Sequence, residues 1–283
     1  MAKIVYTPEF VERGYNNRAA VAEHPRWLEH YATASNRVRA EFAPRLDVRY
    51  GPNPKETLDL FVPARPARGT LVFLHGGYWR ALDKSDFSFV APPFLAQDLA
   101  VAVVNYDLCP AVTIATIVEE CRRALQWIGR DGRALGVNPD RLVIAGHSVG
   151  GHLTAMMYAT DWTDTGGMRP RIAGGVSLSG VHDLEPLVMF SFNSDLKLDL
   201  AEAMRLSPTR MRPRVGAPLL LAVGADETSE FVRQTRLLWD AWPTTRPAGD
   251  SAPFLIPARH HFDVVADYGD PESQLVRRTL DLF

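Results

Sequence analysis

A chain of 283 residues with 46% apolar content is long enough to bury one sizeable core, and single α/β domains often reach this length. The net charge of −2 comes without a block of basic residues, which argues against nucleic acid or an anionic membrane surface as a partner. The first ten residues lack the apolar core of a signal peptide, and the apolar runs are much too short to span a bilayer. We therefore expect a cytoplasmic protein.

Short apolar and β-branched runs alternate with helical patterns along the chain, which predicts an α/β fold with a mostly parallel sheet flanked by helices. Eight runs are interpreted as strands: LDVRYG, TLDLFV, TLVFLHG, VAVVNYD, RLVIAGH, GGVSLSG, PLLLAVGAD and PFLIPA. The first two flank PNPKE, which has the composition of a turn, so we expect them to pair antiparallel.

Helical patterns lie between and around these strands. Apolar residues from Ile114 to Ile128 recur with a period of 3.6, which marks an amphipathic helix, and further helices are expected over residues 230–242 and 272–282. Two parts lie outside the alternation: an N-terminal helical extension of about residues 1–44 and a cap-like insertion of about residues 181–217. We expect all of these to form one domain, residues 1–283.

The run RLVIAGHSVGGHLTAMMYA predicts a strand, a sharp turn and a helix, with the pattern G-x-S-x-G at residues 146–150 of the turn. The glycines let the chain turn so tightly that the hydroxyl of Ser148 stands above the sheet edge at the helix N-terminus. Five residues alone are a weak signal, but the flanking strand and helix strengthen it. Ser148 is therefore a candidate nucleophile, and a simple turn opening a helix is the alternative.

A serine nucleophile requires a histidine that accepts its proton and a carboxylate that orients the histidine. One downstream strand ends at Asp226 and the next at His260 and His261, and open α/β sheets place their sites at the carboxyl ends of strands. We prefer Asp226 to Glu227 as the acid because it comes first after the strand and its short side chain has less freedom. A helix cap for the aspartate and packing roles for the histidines are the alternatives.

The stretch HGGYWR follows the third predicted strand. Gly76 and Gly77 would bring backbone N–H groups to a developing oxyanion, and the N–H of Val149, after the nucleophile, would be a further donor. Tyr78 and Trp79 would then stand beside the acyl site as substrate-binding residues. Core packing beneath the loop is the alternative for both rings.

Nothing in the sequence indicates a metal or a cofactor. The His, Cys, Asp and Glu residues show no metal-ligand spacing, and no nucleotide-binding glycine pattern opens a helix after a strand. Cys109 falls in a predicted loop and Cys121 on the apolar face of a predicted helix, so we expect two reduced thiols.

Seven stretches of the sequence together resemble one family: YNNRAAVAEHP, HGGYW, NYDLCP, AGHSVGGH, SLSGVHDLEPL, VGADETSEFVRQ and HHFDVV. They are similar to the arylformamidase (kynurenine formamidase) branch of the α/β-hydrolases, which is related to the hormone-sensitive-lipase-like esterases. The resemblance covers nearly the whole chain and implies an α/β-hydrolase fold with a small cap. It also implies Ser148 as nucleophile, Asp226 as acid and His261 as base, with His260 as the alternative base.

Three functions are compatible with these observations. The leading hypothesis is a serine hydrolase that cleaves an aryl formamide, N-formylkynurenine, to kynurenine and formate, because a bulky Tyr78 beside the acyl site suits the smallest acyl group. The second is a short-chain carboxylesterase, and the third is a non-catalytic binding protein, against which the presence of all three triad candidates argues. The expected partner is a small-molecule substrate, and a homodimer is left open.

The insertion carries several large apolar side chains. We expect them either to wall the leaving-group side of the site or to pack in the core. These residues are Leu187, Val188, Met189, Phe190 and Phe192.

Overall fold

The computed structural model describes residues 6–163 and 169–283. Within them the strands are β1 Arg45–Arg49, β2 Thr57–Phe61, β3 Gly69–Leu74, β4 Leu99–Val104, β5 Leu142–His147, β6 Ile172–Leu178, β7 Leu219–Gly224 and β8 Phe254–Ile256. They form one sheet in the order β1-β2-β4-β3-β5-β6-β7-β8. The β1–β2 and β2–β4 pairs are antiparallel and the other pairs are parallel, which confirms the predicted fold class and the antiparallel first pair.

Helices cover both faces of the sheet. Their bounds are α1 Pro8–Tyr15, α2 Asn17–Ala20, α3 His24–Phe42, α4 Pro92–Leu95, α5 Ile114–Asp131, α6 Val149–Ala159, α7 Asn193–Leu196, α8 Leu200–Arg205, α9 Ser229–Ala241 and α10 Gln274–Leu280. The predicted period is visible in α5, which buries Ile117, Cys121 and Leu125 on one face. Helix α10 begins later than predicted because Ser273 caps it, its hydroxyl accepting the N–H of Val276.

The central strands are buried on both faces and set the positions of the loops that follow them. All residues of β3, β4 and β5 are buried. Because β3, β5, β7 and β8 run parallel, their carboxyl ends lie at one edge of the sheet. The loops after these four strands contain the candidate catalytic residues.

The N-terminal helices pack against the same edge. The hydroxyl of Tyr31, on α3, donates to the backbone oxygen of Phe262, and the hydroxyl of Thr228 donates to the backbone oxygen of Gly14 over 2.6 Å. The N-terminal extension is thus tied to the loops after β7 and β8. In the part of the chain described here, no helix combines the length and apolar character needed to cross a membrane.

Candidate active site

Ser148 sits on a strained turn between β5 and α6. Its φ of 58° and ψ of −122° are rarely adopted by a residue with a β-carbon. The flanking glycines make this turn possible: a β-carbon on Gly146 would lie 2.1 Å from the oxygen of Gly150, and one on Gly150 would lie 2.0 Å from the oxygen of Leu74. The G-x-S-x-G pattern therefore forms the expected strand–turn–helix structure, with the serine at its apex.

His261, in the loop after β8, faces the serine. Its Nε2 lies 3.0 Å from the Oγ of Ser148, and both residues are buried. The ring packs against Phe231, with centroids 4.4 Å apart, while Nε2 of His147 bonds the backbone oxygen of His261 at 2.9 Å. These contacts fix the imidazole in a position from which it can take the serine proton.

The carboxylate that orients the imidazole belongs to Glu227. Its Oε2 lies 2.6 Å from Nδ1 of His261, and its side chain is fully shielded from solvent. Its other oxygen accepts the N–H of Gly224 at 2.9 Å and the hydroxyl of Ser179. The expectation that Asp226 is the acid is wrong.

The turn after β7 explains the difference. The N–H of Asp226 donates to the oxygen of Arg259 over 3.0 Å, which extends the pairing with the neighbouring loop and leaves the Asp226 side chain exposed. The next residue turns inward, its N–H bonding back to the oxygen of Gly224. From this inward position the carboxylate of Glu227 reaches the histidine.

His260 faces away from the serine. Its Nδ1 accepts the N–H groups of Phe262 and Asp263 at 3.1 and 3.2 Å, and its ring meets the edge of Trp27 on α3. This histidine shapes the loop that carries His261 and attaches it to the N-terminal extension.

The loop after β3 brings two glycines to the serine. A β-carbon on Gly76 would lie 3.3 Å from the β-carbon of Ser148, so a larger residue there would be in tight contact with the serine. Gly77 has a φ of +112°, and a β-carbon on it would lie 2.0 Å from the oxygen of Ala81. Val149 opens α6, so its N–H is one of the helix's free donors. Gly76 and Gly77 line the cavity that contains Ser148, and Val149 follows the serine directly.

A buried network positions this loop. The ring of His75 stacks on Tyr106 with centroids 4.2 Å apart, and its nitrogens lie 2.8 Å from the oxygen of Gly76 and 3.1 Å from the side-chain oxygen of Asn105. Burial lowers the pKa of His75 to about 4, so the ring stays neutral above that pH. Its role is to fix the backbone of the glycine loop.

Tyr78 and Trp79 have different surroundings. Both have positive φ angles, 52° and 55°, which turn the chain sharply. Tyr78 lines the cavity above the serine, and its hydroxyl donates to the backbone oxygen of Tyr15 over 2.5 Å. Trp79 is fully buried against His152 and does not line the cavity, so its predicted contact with substrate is wrong.

The cavity at the serine has a volume of about 60 Å³ and a mostly aromatic and aliphatic wall. Beside the residues already described, its lining comes from three places: the N-terminal extension, the loop after β3 and the insertion. These residues are Asn16, Asn17, Arg18, Leu28, Tyr31, Arg80, Ala81, Leu82, Phe87, Phe192 and Phe262.

The insertion contributes less to this wall than expected. Phe192 lines the cavity, whereas Phe190 packs behind Tyr78 with ring centroids 5.2 Å apart. Leu187 is buried in the core and Met189 is 49% exposed. Neither they nor Val188 line the cavity, so for these residues the wall prediction is wrong.

No sequence motif assigns a role to Asn17 or Arg18, which line the cavity together with other residues of the N-terminal extension. These two residues lie within YNNRAAVAEHP, one of the stretches that carries the family resemblance, which was the available signal. Both cysteines are buried free thiols. Among residues 6–163 and 169–283, no three His, Cys, Asp or Glu side chains are grouped so that they could hold a metal ion.

Comparison with known proteins agrees with this geometry. The BD-FAE family model matches residues 58–184, from β2 to the start of the insertion. A kynurenine formamidase of Salmo salar is 28% identical over 255 residues, which are 88% of this chain and 85% of the fish protein. A carboxylesterase of Mycobacterium tuberculosis is 35% identical over 89 residues, 31% of this chain and 28% of that enzyme.

One solved structure is similar over nearly the full length. A crystal structure of a protein from Silicibacter sp. TM1040, provisionally assigned as a thioesterase, has a TM-score of 0.83 and 32% sequence identity. The match covers 94% of this chain and 97% of that one. Esterase B of Lactobacillus rhamnosus, at 18% identity and a TM-score of 0.68, shares the fold.

Proposed function

Because the chain belongs to the arylformamidase-like branch of the α/β-hydrolase superfamily, we propose that it hydrolyses an aryl formamide, N-formylkynurenine, to kynurenine and formate. The observation that carries this proposal is the continuous chain of hydrogen bonds from Ser148 through His261 to Glu227. Such a chain is what a serine needs to act as a nucleophile at neutral pH.

In the first half of the reaction the Oγ of Ser148 attacks the formyl carbon while Nε2 of His261 takes the hydroxyl proton. The carbonyl electrons move to oxygen, and the N–H groups of the glycine loop and Val149 stabilise that oxyanion. When the tetrahedral intermediate collapses, the C–N bond breaks and His261 gives its proton to the departing arylamine. Glu227 stabilises the imidazolium between these two transfers.

In the second half, water attacks the formyl ester on Ser148. His261 takes a proton from the water, the ester C–O bond breaks, and the serine oxygen receives that proton as formate leaves. No group beyond the chain's own residues and water is needed for either half.

The aromatic side chains around the serine support a small acyl group. Phe192 and Phe262 line the cavity and reduce the room beside the nucleophile. Tyr78 adds a wall that is fixed by its hydrogen bond to Tyr15 and by the ring of Phe192 at 5.7 Å. We infer that the aryl part of the substrate extends towards the cavity mouth.

A short-chain carboxylesterase is the second candidate. The same serine, histidine and glutamate would cleave an ester, and the Mycobacterium tuberculosis carboxylesterase is 35% identical over 89 residues of this chain. An alkoxide or phenoxide also needs less help from His261 as a leaving group than an arylamine does.

Two measurements test these proposals. A fluorophosphonate probe should label the wild type and leave Ser148→Ala unlabelled, and equal labelling of a folded Ser148→Ala protein would refute the serine mechanism. Initial rates on N-formylkynurenine and on p-nitrophenyl acetate, butyrate and hexanoate then distinguish the formamidase from the carboxylesterase. We expect turnover of the formamide and a steep fall from acetate to hexanoate. Absence of formamide turnover, with efficient hexanoate hydrolysis, would favour the esterase.

A further inference from the structure

Asn17 is a buried polar residue whose side chain has no partner within the protein. It is 4% exposed, and neither its Nδ2 nor its Oδ1 makes a hydrogen bond to any residue in the described ranges 6–163 and 169–283. Burying a carboxamide without partners is costly, so such a group in a folded enzyme calls for an explanation. Asn17 lines the cavity that contains Ser148.

The side chain of the preceding residue, unlike that of Asn17, has hydrogen-bond partners within the protein. Asn16 lines the same cavity, but its Oδ1 accepts the N–H of Ala19 at 3.1 Å and its Nδ2 donates to Glu12 over 2.5 Å. Asn16 is therefore used to cap α2. The free donor and acceptor of Asn17 remain available to a ligand.

Arg18 places a positive charge beside the same cavity. Its side chain is exposed, and in the described part of the chain it forms no ion pair with a carboxylate. By contrast, Arg80, which also lines the cavity, is paired with Asp195. The cavity mouth thus carries one cation that is not neutralised by the protein.

We propose that Asn17 and Arg18 bind the α-amino-acid group of the substrate's leaving group. The Nδ2 of Asn17 and the guanidinium of Arg18 donate to the carboxylate, while Oδ1 of Asn17 accepts from the α-ammonium group. A zwitterionic amino acid matches this set, because it offers one anionic acceptor and one cationic donor close together. This inference rests on the proposed function and specifies which aryl formamides the site prefers.

The test is direct binding, measured by isothermal titration calorimetry on the whole chain. The probes are L-kynurenine and 2-aminoacetophenone, which shares the aryl ketone and amine but lacks the amino-acid group. We expect the wild type to bind L-kynurenine at least about tenfold more tightly. Asn17→Leu and Arg18→Gln should each weaken L-kynurenine binding about 3- to 10-fold and leave 2-aminoacetophenone unchanged.

Arg26→Gln is the matched control, since Arg26 is exposed on the same extension but does not line the cavity. It should bind both probes as the wild type does. Thermal unfolding adds a second measurement. We expect the Tm of Asn17→Leu to equal or exceed that of the wild type, because the variant removes a buried amide that has no partner in the fold. A large fall in Tm would assign Asn17 to the fold instead.

Equal affinity of the wild type for the two probes would overturn the inference, as would a kynurenine preference that both variants retain. Failure of the proposed function gives a different result. In that case N-formylkynurenine is not hydrolysed, yet the preference for L-kynurenine and its loss in the two variants persist.

Discussion

Oε2 of Glu227 lies 2.6 Å from Nδ1 of His261, whereas the carboxylate of the adjacent Asp226 is exposed to solvent. One position along the chain therefore separates a carboxylate that can orient the base from one that cannot. This contact also fixes the tautomer, because an Nδ1–H donated to Glu227 leaves Nε2 free to accept the proton of Ser148.

Glu227→Gln should lower kcat/KM by about 10²- to 10⁴-fold, because a neutral amide neither selects the tautomer nor stabilises the imidazolium. Asp226→Asn is the matched control and should stay within about twofold of the wild type, as expected for an exposed side chain. Steady-state kinetics on one substrate decides between them. The reverse ranking would restore Asp226 as the acid.

Replacements of the two adjacent histidines should differ in their effect on catalysis. His261→Ala should lose at least about 10³-fold in kcat/KM, since it removes the general base. His260→Ala should keep most of the activity and lower the Tm, because it removes contacts with Trp27 and the loop backbone. Steady-state kinetics and thermal unfolding of both variants measure these effects. A larger catalytic loss in the His260 variant than in the His261 variant would show that His260 is the base.

Tyr78→Gly should widen the range of acyl groups. Position 78 has a φ of 52°, which glycine adopts without strain, so the variant removes the wall and keeps the loop. The ratio of butyrate to acetate hydrolysis should rise about 10-fold or more, in line with the effect of one poorly accommodated methylene. Tyr78→Phe, which removes only the hydrogen bond to Tyr15, should keep the wild-type ratio. An unchanged ratio in the glycine variant would show that Tyr78 does not limit the acyl group.

The buried histidines should make the fold sensitive to acid. Burial lowers the pKa of His75 and His152 to about 4 and that of His182 to about 3, below the value of about 6.5 in an unfolded chain. Between pH 6.5 and 4 the unfolded chain therefore binds more protons, so stability is fully present above about pH 6.5 and falls as the pH drops towards 4. Each ring contributes up to about 2 kcal/mol to this loss at pH 5.

Urea denaturation of the wild type and of His152→Gln at pH 7 and pH 5 measures this effect. Glutamine can still donate to the oxygen of Leu206, which His152 contacts at 2.8 Å, but it does not titrate. The difference in unfolding free energy between the two pH values should shrink by about 1–2 kcal/mol in the variant. An undiminished difference would show that this ring does not contribute. His30→Gln, at an exposed position, serves as the control.

The features that depend on local pattern can be predicted from the amino-acid sequence. The eight strands follow from short apolar and β-branched runs, and the turn at Ser148 follows from glycines whose β-carbons would collide with the backbone. The histidine pair after the last strand is also recognisable in the sequence. The period of a strand is set by adjacent residues, and the glycines of the turn are recognisable in the sequence, although Gly150 makes room for the backbone of Leu74 on another strand.

Tertiary contacts determine which of two adjacent side chains faces the site. This holds for the pair Asp226 and Glu227 and for the pair Tyr78 and Trp79, in which the direction of each side chain depends on backbone bonds to distant loops, such as the bond from Asp226 to Arg259. For the pair His260 and His261, the family resemblance already implies His261, and the contact of His261 with Ser148 agrees with it. The place of Asn17 was equally hidden, because an N-terminal helix reaches the cavity only through packing against the loops after β7 and β8. The local pattern thus identifies a short stretch of candidate residues, and contacts between residues far apart in sequence determine which of them faces the site.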